Sequence, residues 1–386
     1  MFDVHIQATA WEVTPKTSPT RRWPILPNSA TWYETPSTAR AVSPTTNVTP
    51  SPRRCSGATP PGNRWPTYPT CWPCPPRRSP TSWPPNPRRV VRRRDTCGGG
   101  PAVSALAGVR AHEIAVSGRR VVVYEGGVGP VVLLLHGLPD RAAAWSSQIG
   151  ALLDAGYRVI APDLPGLGDS EPPAELSGWT VAADTDTVLA VMDAFEVEVA
   201  RVVGHDRGCG PGWSLAALWP QRVDRFAALS VGHLAALADV SLEQRRRAWY
   251  TLYFQFAVED QLRADDWHLL RVWLGDHPNK QRVIADLSRD GALTACLNYY
   301  RANFHPEAIP AAKLPAVSVP TLGVFGAQDP YLNIEQMARS AEHVTGPWRM
   351  VRLDGAGHWL PEAASADLNP VLLQFLQEDF ARTVAV

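Results

Sequence analysis

No part of the 386-residue chain holds the roughly eighteen consecutive apolar residues that a helix needs to cross a bilayer, so no membrane span is expected. Cysteine is scarce, six in all, and only Cys71 and Cys74 stand at Cys-x-x-Cys spacing. A structural zinc site wants a second pair of ligands at comparable spacing, and none follows. No metal is therefore expected, and Cys209 reads as a small buried filler. The start, Met1-Phe2-Asp3-Val4-His5, lacks the basic residues and apolar run of a secretory signal, which makes a cytoplasmic location the expectation. Net charge is missing as well, with 37 basic and 37 acidic residues. That zero is a cancellation, because residues 1–110 hold 15 Lys and Arg against 4 Asp and Glu, which leaves 22 basic and 33 acidic residues behind them. An acidic body gives no reason to expect nucleic-acid binding by the folded part.

What is abundant in front is proline: residues 1–105 carry 20 of the 37. Proline removes backbone donors and blocks helices, so this segment is expected to be disordered. Three readings stand for it: a solvated tail, a basic arm for an acidic partner through Arg88 to Arg94, or residues ahead of the natural start. Near Ala105 the composition changes abruptly to that of a globular chain.

From there strands and helices alternate. Glu113 to Tyr124 reads as a hairpin about Ser117-Gly118-Arg119. Strands are expected at Val131–Leu135, Arg158–Ala161, Ala200–Val203, Arg225–Val231, Val317–Gly326 and Arg349–Leu353. Helices are expected near Ala142–Ala155, Ala182–Phe195, Gly212–Trp219 and Ala366–Phe380. Such alternation specifies an α/β fold, a mostly parallel sheet covered by helices. Between Leu234 and about Ala311 the pattern is helical alone, an insertion that reads as a lid. The division is thus 1–105, a core in two parts (106–233 and 312–386), and a lid at 234–311.

The chemistry centres on Arg201-Val202-Val203-Gly204-His205-Asp206-Arg207-Gly208, a strand end running into a glycine-flanked turn. Taken alone, this is equally an ordinary strand-to-helix turn with a capping aspartate. With its glycines at these positions it is also the spacing of a nucleophile elbow, which lifts one side chain above the sheet. Upstream, Leu135-His136-Gly137-Leu138-Pro139 is a loop able to turn a backbone N–H toward a developing oxyanion. Downstream, Asp329 follows a strand and His358 sits in a glycine loop, so nucleophile, acid and histidine follow one another along the chain as Asp206, Asp329 and His358.

On these motifs, together with Ala161-Pro162-Asp163-Leu164-Pro165-Gly166-Leu167-Gly168-Asp169-Ser170, residues from about 110 to 386 resemble an α/β-hydrolase of the epoxide hydrolase type. The resemblance does not extend to the first hundred residues. It implies the α/β-hydrolase fold with an inserted helical lid, and a catalytic triad in that chain order. It also implies an oxyanion hole from the backbone N–H groups of Leu138 and Arg207, a cis Leu138–Pro139 peptide, and two lid tyrosines as proton donors. The segments Trp249 to Gln255 and Leu297 to Arg301 resemble those that carry them, which points to Tyr250 and Tyr300, with Tyr253 and Tyr299 as neighbours.

An aspartate at the elbow selects the reaction. Attack by a carboxylate on a carbonyl gives an anhydride, whereas attack on an sp³ carbon bearing a leaving group gives an ester on the enzyme. Ring opening of a small epoxide needs a proton donor for the departing oxygen, and halide displacement does not. The expectation is an epoxide hydrolase acting on a small molecule without metal or organic cofactor. Arg207 leaves a haloacid dehalogenase as the alternative, since His-Asp-Arg-Gly is similar to haloacetate dehalogenases, although the second arginine of their carboxylate clamp is replaced by Gly210. A non-catalytic ligand-binding member of the fold is the third reading. No oligomeric state follows from the sequence.

Overall fold

The computed structural model describes residues 30–34, 93–95, 106–238, 241–305 and 314–380. Eight strands carry the sheet: β3 (Arg110–Val116), β4 (Arg119–Gly126), β5 (Val131–Leu135), β6 (Arg158–Pro162), β7 (Ala200–His205), β8 (Val223–Leu229), β9 (Thr321–Gly326) and β10 (Trp348–Leu353). Two short strands from the front segment, β1 (Ala30–Glu34) and β2 (Arg93–Asp95), pair antiparallel to β10 and β3. The full order is β1-β10-β9-β8-β7-β5-β6-β4-β3-β2, and all neighbours from β6 through β5 to β10 run parallel.

Those two short strands are the described part of the front segment. A sheet edge offers unpaired backbone groups to any extended segment, whatever its side chains, so an apolar pattern is not required for pairing there. The remainder of residues 1–105, with Cys71 and Cys74, lies outside the described residues.

Local sequence explains the elements. Ser117 and Gly118 both take positive φ, 51° and 79°, the two-residue turn whose twist matches the strands it joins. Along β5, Leu133 and Leu135 face one apolar layer while Val132 and Leu134 face the other, as strand alternation requires. The first layer is capped by α2 (Val181–Ala194) and α3 (Cys209–Leu218), the second by α1 (Ser146–Asp154) and the terminal α12 (Ser365–Gln377). Among the boundaries that differ from expectation, two have a proline as their cause. Helix α3 starts at Cys209 because Pro211 falls in its first turn, where no intrahelical N–H is needed. Strand β9 starts at Thr321 because Pro320 interrupts the ladder, leaving Val317 as a single bridge to Val344.

Between β8 and β9 the described residues form the helices α4 (Leu234–Ala238), α5 (Leu242–Arg247), α6 (Trp249–Tyr253), α7 (Glu259–Trp273), α8 (Lys280–Leu287) and α9 (Ala292–Asn303). Their apolar faces meet as an aromatic cluster in which Tyr250, Phe254, Trp273 and Tyr300 touch. After β9 come α10 (Ile334–Ala338) and, following β10, α11 (Leu360–Ala363).

Candidate active site

Strand β7 delivers Asp206 into a turn with φ of 48°, a conformation that a residue with a side chain adopts only when its surroundings hold it there. The turn fits because Gly208 lies so close to β5 that a Cβ there would stand 2.1 Å from the Leu135 carbonyl oxygen. Gly137 is the second such contact: a Cβ would stand 2.8 Å from the Asp206 Cβ. Its absence lets the loop come close enough for the Leu138 N–H to donate to Asp206 Oδ1 at 2.8 Å. The Leu138–Pro139 peptide is cis.

His136 ties this loop down. Its Nδ1 donates to the Gly137 carbonyl at 2.7 Å and its Nε2 accepts from the Leu164 N–H at 2.8 Å, so it serves as a neutral brace, and burial lowers its pKa to about 4. Asp163 does the same for the loop that follows β6, accepting from the N–H groups of Ala142 and Asp169 at 2.8 Å each.

The other two expected residues meet Asp206 from the far end of the chain. His358 Nδ1 donates to Asp329 Oδ2 at 2.7 Å, and its Nε2 stands 3.5 Å from Asp206 Oδ2. Asp329 is fixed in turn by the N–H groups of Tyr331 and Leu332, both on Oδ1. The backbone of His358 is held by His205 Nε2 and the Ser230 hydroxyl, which donate to its carbonyl at 2.9 and 3.2 Å. Of the three side chains Asp206 is the most open, at 20 % exposure, against 3 % for His358 and 0 % for Asp329.

The electrostatics follow. Burial disfavours the charged form of His358, but the carboxylates of Asp329 and Asp206 outweigh it and raise its pKa to about 10. Burial likewise opposes ionisation of Asp206, yet the contact with His358 holds its pKa below the ordinary carboxylate value. The resting site is therefore an imidazolium between two carboxylates.

Tyr250 and Tyr300 meet edge to face with centroids 5.6 Å apart. Burial first, and then neighbouring charges that include Asp206, push both phenols well above their usual pKa. Among the described residues neither hydroxyl has a hydrogen-bond partner, so both retain a proton to give. Tyr299 is engaged otherwise, its ring lying 4.9 Å from the Arg207 guanidinium, and Tyr253 packs beside Trp249.

Arg207 points away from the role that a carboxylate clamp would give it. Its Nε and Nη2 donate to the two oxygens of Asp184 at 2.9 and 2.8 Å, and Nη1 donates to the Pro165 carbonyl. Both side chains of the pair are fully buried. At position 210 a Cβ would already stand 3.1 Å from Val181, so a longer side chain there would need α2 to give way.

Sequence reasoning missed Asp184, Tyr331 and Arg247. The Tyr331 ring packs 4.9 Å from that of His358, and its hydroxyl donates to the Trp273 carbonyl. Arg247 donates from Nη1 to the carbonyls of Asp329 and Leu332. Only for Tyr331 was there a local signal, its place two residues after the acid. Asp140, His277 and Glu362 bring three ligand-type atoms within 4.8 Å of one another, but Arg282 Nη2 stands between the carboxylates, donating to Asp140 Oδ1 at 2.6 Å and Glu362 Oε1 at 3.0 Å.

A strained elbow acid, a histidine–aspartate pair and a loop amide, set at one end of a mostly parallel sheet, define an α/β-hydrolase. Residues 130–363 match the family model described as the alpha/beta hydrolase fold, and the chain belongs to that family. Its relatives narrow the class: it is 33 % identical over 309 residues to Epoxide hydrolase A of Mycobacterium tuberculosis, covering 67 % of this chain and 95 % of that one. It is 29 % identical to an epoxide hydrolase of Caballeronia sordidicola, over 70 % of this chain and 94 % of the relative. The crystal structure of Epoxide Hydrolase A from Mycobacterium thermoresistibile superposes with a TM-score of 0.60 at 29 % identity, covering 70 % of this chain and 98 % of the other. Within the α/β-hydrolases, the chain stands with the epoxide hydrolases.

Proposed function

We propose that the protein opens a small organic epoxide to a vicinal diol by way of an ester on Asp206. The observation that carries this reading is the pair of unpartnered phenols, Tyr250 and Tyr300, near enough to Asp206 for its charge to act on both. An epoxide oxygen leaves as a strongly basic alkoxide and needs such a donor. A halide leaving group has no use for one.

In the first half-reaction an Asp206 oxygen attacks a ring carbon, the carbon–oxygen bond breaks, and a phenol protonates the departing oxygen. Asp206 is then a neutral ester, and His358 keeps only one of the two carboxylates that raise its pKa. It can now shed its proton, which restores the phenol, and act as a base. In the second half-reaction His358, oriented by Asp329, takes a proton from water while the water oxygen attacks the ester carbonyl. The charge that forms there falls where the N–H groups of Leu138 and Arg207 are proposed to receive it. Collapse releases the diol and regenerates both the Asp206 carboxylate and the imidazolium. The helical insertion serves in this scheme as the lid that carries the proton donors.

The compensation of Arg207 by Asp184 argues against a haloacid substrate, whose carboxylate would need that charge unspent. The test is a His358→Gln variant, in which the ester should accumulate and the intact protein gain the whole mass of the epoxide. A gain equal to a haloacid less hydrogen halide, with epoxides giving none, would reverse the assignment.

A further inference from the structure

We infer that Asp140, His277, Arg282 and Glu362 form a polar latch that holds the helical insertion against both catalytic loops, and that they act on turnover as positioning residues. The effect on turnover rests on the epoxide hydrolase reading.

The residues come from three places. Asp140 lies two residues beyond Leu138, whose N–H is on Asp206, and Glu362 lies four residues beyond His358. His277 and Arg282 belong to the insertion, just before and within α8. A single cluster therefore grips the oxyanion loop, the histidine loop and the insertion together. Besides its two contacts through Arg282, it joins His277 Nε2 to Asp140 Oδ1 at 3.2 Å and to Glu362 Oε2 at 3.6 Å. The Asn279 side-chain amide donates to Glu362 Oε1 at 2.9 Å.

The hydrogen bonds fix the state of the histidine. His277 Nδ1 accepts from the Asn279 N–H at 2.9 Å, so the ring proton must be on Nε2, aimed at the two carboxylates. A metal ligand at Nε2 would need the opposite tautomer, and Arg282 already supplies the cation. The cluster is a fastening and not a metal site.

Burial gives it consequence. Side-chain exposure is 0 % for His277, 3 % for Asp140 and 10 % for Glu362, and Glu362 Oε2 lacks a hydrogen-bond partner of its own. Apolar residues of similar volume in such a place are often as stabilising or more so, so charged groups here are better explained by defining one docked position. The seam continues along α8 and just past its end, where Arg141 and Asp286 lie 3.4 Å apart and Arg289 donates to the Gly168 carbonyl at 2.7 Å. A second contact line reaches the chemistry directly: the His277 ring is 4.3 Å from that of Trp359, which is 4.8 Å from the His358 ring.

The experiment uses the full chain with Arg282→Met and, as the milder change, Glu362→Gln, which keeps shape and loses charge. Amide exchange in residues 280–287 should rise several-fold in both variants while that of β5, β7 and β8 stays unchanged. In parallel kcat should fall by about tenfold, within the up to about 10²-fold that a misplacement of about 1 Å can cost. Arg282→Lys should restore part of the loss. Unchanged exchange at 280–287 would overturn the latch, and faster exchange with unaltered kcat would overturn the positioning role. If the parent opens no epoxide, the functional reading fails by itself. The His358 ring titration, read by NMR, then replaces kcat, and its identity in parent and variants would count against the proposal.

Discussion

His358 Nε2 lies 3.5 Å from Asp206 Oδ2, so the charge on Asp206 adds to that of Asp329 in holding the proton on His358. Replacing Asp206 by Asn gives a neutral side chain of the same shape and imitates the ester. The His358 pKa, about 10 in the parent, should drop in Asp206→Asn when the ring is titrated by NMR. An unchanged value would mean that Asp329 alone holds the proton, and ester formation could then not release the base.

The same coupling sets a stability profile. The His358 pKa is raised from its ordinary 6.5 to about 10, so its contribution is complete below about pH 6.5 and is lost as pH climbs through 10. Denaturant unfolding of the parent should show stability declining over that window. In His358→Gln the decline should flatten, and a parallel curve would assign the alkaline loss to other groups.

In the proposed mechanism Tyr250 and Tyr300 discriminate between leaving groups. General-acid assistance contributes typically 10²–10⁴-fold, and two donors in edge contact should share it. Single Tyr→Phe variants should slow ester formation moderately, and the double variant should be nearly inactive on epoxides while still binding them, as read by rapid-mixing fluorescence and equilibrium titration. Full activity in the double variant would remove the phenols from the mechanism.

Arg207 and Asp184 should matter for folding more than for substrate choice. Breaking a fully buried pair by removing one partner costs about 3–5 kcal/mol, because the other charge is left without compensation. Asp184→Asn or Arg207→Met should each lose about that much in denaturant unfolding, and the double variant less than the sum. If Arg207→Met were as stable as the parent but lost affinity for carboxylate-bearing ligands, the arginine would belong to the substrate site.

What was legible in the sequence was local. Gly204, Asp206 and Gly208 announce the elbow because the turn has room for nothing larger at its flanks, and His136-Gly137 announces the loop for the same steric reason. Strand and helix alternation gave the layers, and two of the shifted boundaries trace to Pro211 and Pro320 acting on the backbone. The unread parts depend on distance along the chain. Asp184 looks like any acid in a first helical turn until Arg207 is seen against it, and Asp140, His277 and Glu362 have no spacing in common. The edge strands β1 and β2 carry no apolar period in the sequence, and it is their backbone pairing to β10 and β3 that reveals them.

The two apolar layers of the sheet differ in a way that matters for engineering. Tyr250, Tyr299 and Tyr300 share their layer with α2 and α3, whereas α1 and α12 close the other side around Trp145, Ile149, Leu372 and Phe375. On that reverse side Arg225 donates to the carbonyls of Phe375 and Glu378, fastening the end of α12. Substitutions that improve packing there touch neither the donors nor Asp206. Thermal robustness and turnover can therefore be selected on opposite faces of one sheet, so the usual trade between them need not arise.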